Sequence, residues 1–157
     1  MPRQPRNPVL DRLDALVGEW TQEAVVNGEV VGTGRARFEW TEDGAFLVQH
    51  AEGDPPLPGT PRRFIENSPL PLVTMMGLDD TSERFSMLYA DARSVVRVYQ
   101  MTLADGVWEM WRDAPGFFQR FTGIFEDGGR FIRGRWEASP DGTDWRTDFD
   151  QNYRRIG

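Results

Sequence analysis

Arg97 and Tyr99 stand two positions apart in the run Arg97-Val98-Tyr99-Gln100. On an extended strand such residues share a face, so a guanidinium and a phenol can meet one ligand together. A guanidinium binds a carboxylate through charge-assisted hydrogen bonds, often two in parallel. The competing reading makes Tyr99 a core side chain and lets Arg97 reach outward or pair with an internal acid. His50 is the only histidine of the chain. It follows Phe46 and Val48 at period two, which predicts an inward side chain. An inward imidazole is a ligand contact, an acid or a base near neutral pH, or simply a hydrogen-bonded structural residue. Trp111-Arg112-Asp113 precedes a Pro115-Gly116 turn, so Arg112 either reaches a cavity mouth or forms a surface ion pair.

Several chemistries fail on inventory. The chain has no cysteine, which removes thiol nucleophiles, disulfides and thiolate metal sites together. A serine triad has no nucleophile elbow and only His50 for a base. Zinc lacks its usual Cys and His ligands, and no glycine loop of the phosphate-cradling type occurs. Asp79 and Asp80 are adjacent, so on a strand they face opposite ways and are better read as a turn. We therefore assign no catalytic residue and no metal ligand. The formal net charge of −7 disfavours nucleic acid and anionic membranes as partners. Met1–Val9 carries two arginines but no apolar run behind them, unlike a leader or an anchor. No stretch of about 18 apolar residues occurs. The expected location is cytoplasmic, and the expected assembly is a monomer or homodimer.

A frame of β-strands must position these groups. The 157 residues suit a single domain, 1–157. Prolines gather in an opening arm, 1–8, and in a loop, 54–71, read either as a lid or as a plain connection. Val9, Leu10, Leu13, Leu16 and Val17 recur at helical spacing, which predicts a short N-terminal helix ended by Gly18. Beyond Gly18 the period becomes two. Asn27-Gly28, Asp43-Gly44, Asp105-Gly106, Asp127-Gly128 and Pro140-Asp141-Gly142 supply the left-handed backbone that tight reversals need. Strands are expected near 18–26, 30–41, 44–53, 72–80, 83–91, 94–103, 106–113, 117–126, 129–139 and 143–155. About ten strands in a meander have one apolar face and no long helix to cover it. Closing the sheet into an antiparallel up-and-down β-barrel buries that face and removes the edges.

Alternation then assigns the interior. Phe85, Met87 and Tyr89 are expected inside, with Phe117, Gln119, Phe121 and Phe125. So are Ile132 and Trp136, and Trp145, Thr147, Phe149, Gln151 and Tyr153. Met75 and Met76 follow the proline-rich loop as a pliable wall or as core. An interior of aromatics with a few polar tips resembles a small-molecule pocket, but equally a filled core whose tips bond to backbone. On the pocket reading the ligand-binding residues are His50, Met76, Tyr89, Arg97, Tyr99, Trp111, Gln119, Phe121, Trp136 and Phe149. The partner is then a small hydrophobic molecule, with or without a carboxylate. The alternatives are an enzyme using His50 or a tyrosine as acid–base, and a structural protein with a filled barrel.

Gly18-Glu19-Trp20 opens the first strand after the helix, and Arg154-Arg155 closes the last. This resembles the lipocalin and calycin pattern, in which a Gly-x-Trp packs under an arginine at the barrel end. The segments Met76–Asp80, Leu88–Arg93, Arg97–Tyr99, Trp111–Phe117, Gln119–Gly123 and Ser139–Gly142 resemble a bacterial lipocalin-like family of unassigned function. The Arg-x-Tyr pair is similar to the carboxylate site of fatty-acid-binding barrels. The resemblance implies a barrel fold and not an activity, since fold alone does not fix function. The related haem-binding nitrobindins carry a late histidine and a longer Gly-x-Trp-x-Gly-x-Gly motif. Here His50 is early and Thr21, Gln22 and Glu23 follow Trp20, so haem is disfavoured and no cofactor is expected.

Overall fold

The computed structural model describes residues 5–41 and 43–156. A 3-10 helix, Pro8–Ala15, precedes ten strands. These are β1 (Gly18–Val26), β2 (Glu29–Trp40), β3 (Leu47–Gly53), β4 (Leu72–Asp79), β5 (Arg84–Asp91), β6 (Val96–Ala104), β7 (Val107–Arg112), β8 (Phe118–Glu126), β9 (Phe131–Ser139) and β10 (Arg146–Arg155). Each pairs antiparallel with its sequence neighbours, and β1 pairs with β10, closing the barrel. A short helix, α1 (Arg62–Glu66), lies in the proline-rich loop. The expected meander and its closure are therefore present.

Reversals form where Asn-Gly and Asp-Gly demand them. Asn27 and Gly28 have φ of 52° and 78°, and Asp105 and Gly106 have 54° and 75°. Two successive left-handed residues make the turn whose twist suits a hairpin. Two expected strands start late. Asp43 accepts from the Thr41 hydroxyl and the Ala45 N–H, which holds 43–45 in a turn and delays β3 to Leu47. Asp141 accepts from the Thr143 and Asp144 N–H groups, and β10 begins at Arg146.

One end of the barrel is sealed. Leu10, Leu13 and Leu16 pack into a core with Trp20, Phe38, Leu47, Met76, Phe85, Met101, Trp108, Phe121, Ile132 and Tyr153, all buried. Rings meet mainly edge-on, with Trp108 5.0 Å from Phe121 and 6.2 Å from Phe38, the arrangement that aromatic quadrupoles favour. The Arg155 guanidinium lies 4.2 Å from the centre of the Trp20 ring. It also donates to the Val17 carbonyl at 2.6 Å and the Ala15 carbonyl at 2.8 Å, while Trp20 Nε1 donates to Leu16 at 2.9 Å. One cation thus ties the last strand to the end of the helix and the start of the first strand. Gly18 makes room for it, at φ 125° with an added Cβ only 2.7 Å from Arg155 Nη1.

The structure corrects several inward assignments. His50 and Trp111 sit on the outer wall. His50 is exposed between Leu47, Gln49 and Ala51, which hold the inward phase of β3, and it pairs with Arg37 and Val73 across the sheet. In β7 the inward residues are Trp108 and Met110, so Trp111 faces out, with Arg84 5.5 Å from its ring. The outer wall of β4–β6 is apolar, exposing Val73, Leu88, Val96 and Val98. Hydrophobicity therefore did not mark the inside there. In β10 the register shifts between Thr147 and Phe149. This bulge leaves Phe149, Gln151 and Tyr153 in the inward phase but turns Thr147 out. Trp145, just before the strand, stacks outside on Arg120 at 4.0 Å. The opening arm, 1–8, falls partly outside the described residues. Within them, Arg6 lies over Trp40 at 4.5 Å.

Replacing Arg155 with Met should remove the cation–π contact and both carbonyl bonds, costing about 2–3 kcal/mol. Gly18→Ala should cost about 1–3 kcal/mol by displacing the same guanidinium from a strained backbone. Urea unfolding with an unchanged m-value reads both; wild-type stability in either variant would refute this account of the seal.

Candidate functional site

The strand directions leave the far end of the barrel to five connections. They are the β1–β2 hairpin, the 54–71 loop, the β5–β6 and β7–β8 turns, and the loop before β10. There the interior is hollow, with a cavity of about 480 Å³. That volume falls within the range of small-molecule sites. The barrel is therefore filled at one end and open at the other, so the pocket and filled-core readings each describe half of it.

Six of the expected site residues line this cavity: Tyr89, Arg97, Tyr99, Gln119, Trp136 and Phe149. Met76 and Phe121 do not, since both are buried in the filled half. Phe121 supports the cavity from beneath, its ring centre 5.1 Å from that of Trp136. His50 and Trp111 lie on the outer wall and drop out. The 54–71 loop covers the mouth, contributing Pro55, Pro56, Phe64 and Ile65 among others to its lining. It is pinned by the Thr33 hydroxyl donating to Asp54 at 2.8 Å and the Ala92 N–H donating to Pro69 at 3.2 Å.

The polar groups form ordered pairs. Tyr99 donates to Gln119 Oε1 at 2.8 Å, and Trp136 Nε1 donates to Gln151 Oε1 at 2.9 Å. Tyr89 donates to Asp91 at 2.6 Å, and Arg93 pairs with the same carboxylate at 2.6 Å. Arg97 makes no ion pair among the described residues; its guanidinium lies 5.0 Å from the Phe117 ring centre.

Electrostatics follow from these contacts. Burial works against the Asp91 carboxylate, but bonds from the Arg93 side chain, the Tyr89 hydroxyl and the Arg93 N–H outweigh it and hold its pKa down at about 2. Burial raises Tyr89, and its bond to Asp91 adds to the rise. Burial likewise raises Tyr99, opposed by Arg97 beside it. Both phenols therefore stay protonated at neutral pH. Asp148, carried inward by the β10 bulge, also lines the cavity. Its carboxyl is open to water in the mouth yet walled by protein, and that burial raises its pKa against the pull of Arg97 and Arg93.

Sequence reasoning missed Arg93 and Asp148. A turn residue after β5 gives no periodic signal of facing inward, and a bulge leaves no mark in an alternating pattern. Among the described residues no cluster of metal-ligating side chains occurs, and no helix is long and apolar enough to cross a membrane. The structure thus defines a closed ten-stranded antiparallel barrel, consistent with a lipocalin-like fold, with one sealed end and one hollow end. No protein-family model matches the chain, and no curated protein matches it in sequence.

The Asp91 pKa lies below its ordinary value of 3.8, so its stabilising contribution is complete above about pH 4. It is lost as pH falls through about 2. Asp91→Asn should cost on the order of 1–2 kcal/mol at pH 7. The gap to wild type should shrink between pH 4 and pH 2, followed by urea unfolding; a gap independent of pH refutes the assignment.

Proposed function

We propose that the protein binds a small, mostly apolar molecule bearing a carboxylate, with the apolar body among Trp136, Phe149 and the loop side chains. The observation that carries this reading is a hollow of about 480 Å³ with the unpaired Arg97 guanidinium at its wall. Arg97 is half-buried, and a cation partly withdrawn from water without an ionic partner is costly, a cost that an anionic ligand relieves. Tyr89, Tyr99 and Gln119 add hydrogen-bonding atoms beside Arg97. Asp148 competes for the same guanidinium and so sets how strongly an anion is preferred.

The enzymatic alternative loses His50, which is on the outer wall, and the cavity tyrosines have raised pKa values that make them poor bases near neutral pH. We also infer kinship with bacterial lipocalin-like barrels of the calycin type, supported by the Trp20–Arg155 stack at the sealed end.

Titrating 4-phenylbutyrate and pentylbenzene into wild type and Arg97→Met tests the reading by calorimetry. The variant should bind 4-phenylbutyrate roughly tenfold or more weakly, since a charged hydrogen bond contributes about 1.5–3 kcal/mol. Pentylbenzene affinity should stay the same. Unchanged carboxylate affinity removes Arg97 from the site.

A further inference from the structure

The cavity floor carries amides whose orientation is fixed from behind. An indole N–H only donates, so the Gln151 group facing Trp136 must be its oxygen, at 2.9 Å. The Gln151 amide nitrogen then points away and donates to Gln22 Oε1 at 3.5 Å. Gln22 in turn has its own oxygen engaged and its NH₂ left over. On the opposite wall the Tyr99 hydroxyl donates to Gln119 Oε1, at 2.8 Å. Gln119 too is left with a free NH₂.

Gln22 and Gln119 are each only 6% exposed, and both line the cavity. Neither amide nitrogen meets a protein acceptor among the described residues. Neither is fully enclosed without a partner, since among those residues only Trp108 Nε1 is. Both must open into the hollow. Two glutamines in water would present oxygen and nitrogen alike. Here the Trp136 indole, acting through Gln151, and the Tyr99 hydroxyl donate to the glutamine oxygens and leave nitrogen in front.

We propose that the cavity selects its ligand by hydrogen-bond sign. Two relays, Trp136→Gln151→Gln22 and Tyr99→Gln119, aim N–H groups inward, so the site takes a molecule with an acceptor oxygen at its buried end. A ketone, ester or carboxylate satisfies these donors. An aryl amine at the same place, its lone pair drawn into the ring, sets N–H against N–H and leaves buried donors unpaired. Trp136 is a positioning residue in this scheme, acting through Gln151. The inference rests on the ligand-cavity reading and deepens it by naming the ligand's buried chemistry.

The test compares three probes of like shape by calorimetry at pH 7.5: pentylbenzene, valerophenone and 4-pentylaniline. Wild type should bind valerophenone roughly tenfold or more tightly than 4-pentylaniline, the penalty expected of an unpaired buried donor. In Trp136→Phe the Gln151 amide can turn over, and that ratio should fall several-fold toward the share that Gln119 alone supplies, while the loss of ring area acts on all three probes alike. Gln151→Leu breaks the same relay without removing a ring, should Trp136→Phe fail to fold, and should lower the ratio likewise. Binding of ketone and amine with equal affinity by wild type overturns the proposal alone, as does a ketone preference undiminished in both variants. Failure of all three probes to bind wild type overturns the cavity reading and this inference with it.

Discussion

Every feature of the molecule depends on the hydrogen-bonded seam between its first and last strands. Trp20 through Val25 pair with Arg155 back to Asp150, joining residues from opposite ends of the chain. Without that ladder β1 and β10 are bare edges, and the aromatic face behind them opens to water. With it, each strand has two partners and the interior becomes a closed volume. The Arg155–Trp20 stack lies at one end of this seam. It therefore fixes the register of the pairing that closes the barrel and also caps its sealed end.

Closure divides the interior by what fills it. At the helix end, three leucines and a set of edge-packed rings occupy the space. At the other end the strands run out into turns and the proline-rich loop, and nothing fills the centre. The walls there still need their polar atoms satisfied. Tyr99, Trp136, Gln119 and Gln151 do this among themselves, which leaves the hollow lined by groups that cannot reorient freely. Prolines in the covering loop limit its freedom when unfolded, so holding it over the mouth costs less.

The fold was legible because its signals are local. Alternation survives along most strands, and the Asn-Gly and Asp-Gly pairs announce their hairpins directly. Gly18, Trp20 and Arg155 were legible as well, since each is a residue type with few substitutes for its role. The phase of individual strands was less so. Phe46, Val48 and His50 read as an inward set, yet Leu47, Gln49 and Ala51 point in. The outer wall from β4 to β6 is itself apolar, so polarity carries no contrast there. Trp111 misled for the same reason. In β10 a single bulge at Asp148 kept Phe149 and Gln151 inside, turned Thr147 out and left Trp145 outside on Arg120. An inserted residue changes phase without changing composition. The part of the site on regular strands was therefore readable, while Arg93 on a turn and Asp148 on a bulge were not.

Amide hydrogen exchange along the seam tests the closed barrel most directly. The N–H groups that β1 and β10 donate to each other should exchange as slowly as those joining β8 to β9, opening only with global unfolding. Fast exchange confined to those two strands would mean an open sheet with two free edges, and the enclosed hollow would not exist.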